Sequence, residues 1–144
     1  MGLRERSRLA AMRETQREAL RLFAEDGYAG VTVDDIARSL GIAASTIFRH
    51  FGSKEALVLW DEHDAPLTQK LAEFFSSPDP ECTPFQELRD AFVDTLASRY
   101  QDNVEFELER IGLIYRTEAL HAAAVEEHLT DRNELTDALT RVLS

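Results

Sequence analysis

Four groups of side chains in this sequence carry the means for chemistry, and three of them are poorly arranged for it. His63 stands in WDEHD, Trp60 to Asp64, beside Asp61, Glu62 and Asp64. That composition suits a hard metal, but neighbours in sequence point to different sides of a helix. His121 and His128 lie seven residues apart on one helical face without a carboxylate or cysteine framework, so they read as surface or packing residues. The single cysteine, Cys82, sits in the proline-rich run SSPDPECTP with no evident base beside it. No G-x-S-x-G elbow, phosphate-cradling glycine loop or H-E-x-x-H pair is present, so no catalytic residue, no metal and no cofactor is expected. The fourth group is GIAASTIFRHFGSKEAL, Gly41 to Leu57. Its hydroxyls, one arginine, one histidine and one lysine suit hydrogen bonding to phosphates and base edges.

The surrounding pattern predicts an all-α protein. Strand-like alternation is scarce, and most of the glycines and prolines fall at breaks between periodic runs. A first helix from about Glu5 to Asp26 stops at Gly27, with Arg13, Arg17 and Arg21 forming a solvated stripe paired with Glu14 and Glu18. Thr32 caps a second helix whose first turn carries Asp34 and Asp35, and Val33, Ile36, Ala37 and Leu40 give it one buried stripe. After Gly41, a short third helix spans about Ala44 to Phe51, with Ile47 and Phe51 facing inward. Gly52 ends it and Ser53 caps a fourth, which the pattern continues to about Phe75, bent near Pro66. Ser76 to Pro84 is a loop, and helices follow over Phe85–Tyr100, Val104–Arg116 and Glu118–Leu143.

Size and charge restrict the partners. A chain of 144 residues, 44% hydrophobic, holds a real apolar core but not two full-size domains. One cysteine excludes an internal disulfide framework and fits a reducing cytoplasm. No signal-peptide order is visible at the start, and no apolar run approaches the roughly 20 residues that cross a bilayer, so a soluble protein is expected. Residues 1 to 60 hold 9 Lys/Arg against 8 Asp/Glu, while residues 61 to 144 hold 7 against 19. A polyanion would be repelled by the second part, so any nucleic-acid contact must fall to the first.

Two short helices joined by a tight glycine turn form a helix-turn-helix, whose second helix lies in the DNA major groove. Ala43, Ala44 and Ser45 would let the backbone approach base edges closely, and Thr46 would donate to phosphate or touch a thymine methyl. Arg49, His50 and Lys54 would reach phosphate oxygens, aided by the helix amides that Ser53 caps.

The segment LRLFAEDGYAGVTVDDIARSLGIAASTIFRHFGSKEALV resembles the N-terminal DNA-binding domain of the tetracycline-repressor-like (TetR) family of bacterial transcription regulators. The resemblance covers about Arg13 to Leu59 and is carried by LFAEDGY, TVDDIA, FRHF and GSKEAL, in order and at the expected spacing. It implies that Thr32, Ala43, Ser45, Thr46, Phe48, His50 and Lys54 occupy DNA-contacting positions. Phe48 departs from the tyrosine frequent there, and packing against sugars or the domain core is expected of it. The resemblance also implies a dimer on a palindromic operator and a C-terminal domain that holds a small effector. ELERIGLIYRTEALHAAAVEEHL resembles, more faintly, a branch of the family that includes the mycofactocin regulator, which implies a lipophilic or acyl-type effector. Family members usually continue for two further helices that pair across the dimer, whereas this sequence ends at Ser144.

The expectation is therefore a helix-turn-helix domain over residues 1–52 and a helical ligand-binding and dimerisation domain over 53–144. Trp60, Phe92, Tyr100, Phe106, Ile111 and Tyr115 are the candidate effector-pocket residues, although aromatics at helical spacing are more often plain core. The expected function is a dimeric, cytoplasmic, effector-released repressor that binds double-stranded DNA without a membrane. The alternative is a DNA-binding or interaction protein with no small-molecule effector.

Overall fold

The computed structural model describes residues 2–62 and 103–143, with Gln86, Arg89, Asp90, Val93, Asp94, Ala97 and Gln101 between them. Every regular element among the described residues is a helix: α1 (Leu3–Asp26), α2 (Val33–Leu40), α3 (Ala44–Phe51), α4 (Lys54–Leu59), α5 (Val104–Arg116) and α6 (Glu118–Leu143). The chain divides into two compact units, Met1–Trp60 with Glu109–Glu126, and Asp61–Leu108 with Glu127–Ser144. The expected loop over 76–84 lies outside the described residues, as does most of the helix expected over 85–100.

Local chemistry sets the helix ends in the first unit. α1 stops at Gly27, whose φ of 81° is costly for any residue with a Cβ. α2 begins with a reciprocal capping box. Thr32 Oγ1 accepts from the Asp35 amide at 3.1 Å, and the Thr32 amide donates to Asp35 Oδ2 at 2.9 Å. Two otherwise orphaned donors are satisfied by one three-residue spacing. Gly41, left-handed at φ 68°, then closes α2 and turns the chain towards α3.

The core of this unit is a single apolar cluster. Met12, Ala19, Leu20 and Phe23 of α1 are buried with Val33, Ile36 and Ala37 of α2, Ile47 of α3, and Leu57 and Val58 of α4. Leu120 of α6 is fully buried in the same unit. Each large side chain so buried contributes about 1.5–3 kcal/mol relative to exposure. A polar link joins α1 to α2, where the Ser39 hydroxyl donates to the Glu18 carboxylate.

α4 differs from the sequence expectation of a long helix running to Phe75. It ends at Leu59, and Trp60 turns extended at φ −57° and ψ 125°. The cause is a set of side-chain donors at its C-terminal carbonyls. Gln16 Nε2 of α1 donates to Leu57 O at 2.9 Å and to Trp60 O at 2.8 Å. Arg110 of α5 donates from one guanidinium nitrogen to Val58 O at 3.1 Å and to Leu59 O at 3.5 Å. Carbonyls that a continuing helix would bond internally are met here by side chains instead. Pro66 lies outside the described residues.

The described residues of the second unit include the start of α5, where Glu107 is buried while Val104 and Leu108 are exposed, and α6 from Glu127 onward. Both α5 and α6 keep the limits that the spacing predicts. Backbone bonds run through their junction, from the Thr117 amide to Leu113 O and from the His121 amide to Thr117 O.

Gln16 is neutral, buried and shared between two carbonyls, so its loss leaves both without that donor. Gln16→Leu is expected to lower stability by about 1–3 kcal/mol, measured by urea unfolding. An unchanged midpoint would show that the α4 end does not depend on it.

Candidate nucleic-acid interface

α3 is positioned by the short turn after α2 and by its own buried edge. The Ile42 amide donates to Ala37 O at 3.0 Å, and the Thr46 amide to Ala43 O at 3.0 Å, so the turn is bonded at both ends. Ile47 is 1% exposed and anchors the inner side, while Phe51 meets the Trp60 ring edge-on at 5.8 Å between centroids. The i, i+3, i+4 set Ser45, Phe48 and Arg49 is exposed on the outer side. Ala43 is exposed at the tip, and Ala44 and Thr46 are half-buried flanks.

The outer stripe is short, small at its start and basic at its end, a shape that can lie against a groove floor. Phe48 is 48% exposed, so it is not packed in the domain core, and of the two roles expected of it contact with sugars is the one left open. Ala43 caps α3 without a side-chain bond, leaving the first amides of the helix for an outside acceptor. The Thr32 hydroxyl accepts within its capping box and keeps its own proton to donate.

His50 is half-buried near the end of α3 and is held below its ordinary pKa, first by burial and then by the positive charges of Arg49 and Arg8. Arg8 belongs to the first turns of α1, and its positive charge acts on His50 from that helix. Sequence reading missed Arg8, because it lies 42 positions from His50 and only folding brings them together. Arg8 also bonds Glu5 at 3.3 Å, both groups about half exposed.

Lys54 is placed differently from the other basic candidates. Its ammonium donates to Tyr28 O and lies 4.1 Å from the Tyr28 ring centroid and 5.5 Å from that of Phe23. Burial lowers its pKa. The solvated arginine stripe on α1 behaves as the sequence suggests at Arg21, which is bonded to Glu18 and Glu25. Glu18 is drawn down to about 2 by the hydrogen bond from Arg21 and then by that from Ser39. Arg13, Glu14, Arg17, Glu18, Arg21 and Leu40 line an open cleft of about 450 Å³.

The candidate effector residues are scattered among the described positions. Trp60 is half-buried against Phe51, and Phe106 and Ile111 are half-buried in α5. Tyr115 is 73% exposed, with its ring 5.6 Å from that of His121. Phe92 and Tyr100 lie outside the described residues. None of these six lines the charged cleft on α1. Of the WDEHD cluster, Asp61 and Glu62 are described and His63 and Asp64 are not. No group of three or more His, Cys, Asp or Glu suited to a metal occurs among the described residues.

The family profile described as "Bacterial regulatory proteins, tetR family" matches residues 17–59, the span that holds the C-terminal part of α1 and all of α2, α3 and α4. The likeness to that family is carried by this segment, under a third of the chain. The chain is similar to a putative mycofactocin biosynthesis transcriptional regulator, MftR, of Mycobacterium tuberculosis. The two are 47% identical over 51 residues, covering 35% of this chain and 25% of that one. TcmR, a helix-turn-helix transcriptional regulator of Streptomyces glaucescens, is 43% identical over 58 residues, 40% of this chain and 26% of the relative. IcaR, a negative transcriptional regulator of the biofilm operon icaADBC in Staphylococcus aureus, is 46% identical over 39 residues, 27% and 21% of the two chains. The matched segments thus span about a quarter of these relatives. The crystal structure of the TetR regulator PfmR from Thermus thermophilus aligns with 90% of this chain and 68% of its own at 25% identity. The TM-score of this alignment is 0.41.

Because the neutral imidazole is favoured in the fold, stability is full above the ordinary histidine pKa and declines as pH falls through the depressed value. An NMR titration of His50 is expected to give a midpoint below 6.5, and Arg8→Ala is expected to raise it. A midpoint at or above 6.5, or one indifferent to Arg8, would contradict the burial and charge surroundings of His50.

Proposed function

We propose that the chain is a DNA-binding transcriptional repressor that seats α3 in the major groove of a palindromic operator as a dimer. The observation that carries this reading is the exposed stripe Ser45, Phe48 and Arg49 on the second helix of a TetR-type helix-turn-helix, anchored from behind by buried Ile47. Ala43, Ala44 and Ser45 permit close approach to base edges, while Thr32, Thr46, Arg49 and His50 take phosphates or a thymine methyl. One such helix reads few bases, which is the physical reason for pairing two on half-sites about one turn apart. IcaR's description as a negative regulator supports repression.

Release by a small lipophilic or acyl-type effector belongs to the same proposal, with residues 1–52 as the reading domain and 53–144 as the binding and dimerisation domain. Trp60, Phe92, Tyr100, Phe106, Ile111 and Tyr115 are its candidate contacts. Effector binding would shift a population of α4 positions and with it the separation of the two reading helices. The bonds from Arg110 to Val58 O and Leu59 O offer a route from α5 to α4. The exposure of Tyr115 favours a second reading, a DNA-binding protein with no effector. Action in the cytoplasm fits a chain in which no described helix is long and apolar enough to cross a membrane.

Selection of bound duplexes from a random pool at near-physiological salt is expected to enrich an inverted repeat with half-sites about one helical turn apart. No enrichment, or a lone half-site, would contradict the dimeric operator reading.

A further inference from the structure

Lys54 occupies the first position of α4, three residues after the end of α3, and is the lysine that the family resemblance puts among the DNA contacts. Its ammonium is directed inward. It donates to the carbonyl of Tyr28, one residue beyond the Gly27 stop of α1, and stands 4.1 Å from the Tyr28 ring centroid. Tyr28 in turn packs its ring 5.0 Å from that of Phe23, which is 2% exposed in the core of the first unit. A cation over an aromatic face, with a carbonyl accepting one of its hydrogen bonds, is held in direction as well as distance.

The chain positions that this cradle joins give it its consequence. Tyr28 lies in the connection between α1 and α2, and Lys54 lies just past the connection between α3 and α4. The second connection is short: Gly52, at φ 87°, ends α3, and Ser53 caps α4. A tie between the two connections fixes the tilt of α3 against the α1–α2 pair. The Tyr28 hydroxyl is buried without a hydrogen-bond partner among the described residues, an arrangement that costs free energy.

We propose that Lys54 is a positioning residue for DNA reading, acting through Tyr28 to set the attitude of α3, and not a phosphate contact. The inference rests on the reading of α3 as the recognition helix. It distinguishes Lys54 from Arg49, which is exposed at the end of the outer stripe and stays among the proposed phosphate contacts.

The test compares wild type, Lys54→Met, Lys54→Arg and Tyr28→Leu in operator and random-duplex binding over a salt series, well below the unfolding temperature of each. Lys54→Met keeps the apolar stem on the rings and removes only the charged end. It is expected to lower the ratio of operator to random-duplex affinity by roughly ten-fold, the size of one good base contact, with random-duplex affinity and its salt slope unchanged. Tyr28→Leu is expected to do the same, the double variant to lose little more, and Lys54→Arg to restore the ratio. A uniform loss on all duplexes with a slope smaller by about 0.9 would make Lys54 a phosphate contact and overturn the proposal. Unchanged affinities with a lowered unfolding temperature would make the cradle merely structural and overturn it equally. A wild-type chain with no operator preference would overturn the regulator reading itself, and the positioning role with it. A wild-type preference that Lys54→Met retains overturns the positioning role alone.

Discussion

The backbone carbonyls at the end of α4 are the constraint on which the first unit depends. A helix that stops inside a folded unit leaves acceptors that must find donors, because a buried carbonyl without one costs about 1–3 kcal/mol. Gln16 and Arg110 supply them from α1 and α5, segments 41 to 52 residues away in sequence. Their bonds end α4 at Leu59 and release the chain at Trp60. They also place Leu57 and Val58, both fully buried, under α1 and so close the core beneath α3. The outward face of α3 can be small because its support lies behind it.

Charge and size together explain how an acidic chain could meet a polyanion. The first 60 residues are almost neutral, and most of the excess negative charge follows them. Within that neutral part, Arg21 and Lys54 are engaged with protein partners, whereas Arg49 is exposed at the end of α3. A few well-aimed basic groups, with alanine and serine at the approach, favour affinity that depends on fit more than on total charge. The positive charge of Arg8 on α1 also acts on His50 at that end.

Much of the DNA-binding unit is legible in the sequence, because its signals are local. Gly27, Gly41 and Gly52 mark three helix ends through their positive φ, and Thr32 with Asp35 three residues on marks a start. The apolar spacing of Val33, Ile36 and Ala37 and the inward place of Ile47 follow from helical periodicity alone. The end of α4 at Leu59 was not legible. Its periodic pattern runs on, and what stops it is a glutamine and an arginine on other helices. The inward turn of Lys54 was equally hidden, since the carbonyl and rings that hold it belong to Tyr28 and Phe23. The family pattern marks a lysine at that position without telling which way its ammonium points.

The central claim is that α3 is the surface this chain presents to DNA. The most direct measurement is an amide chemical-shift map of the whole chain titrated with a short duplex carrying the selected operator. The account predicts that the largest changes fall on Ala43 to His50 and on Thr32, with those in α6 small. Large changes confined to α5 and α6, with α3 unaffected, would contradict it.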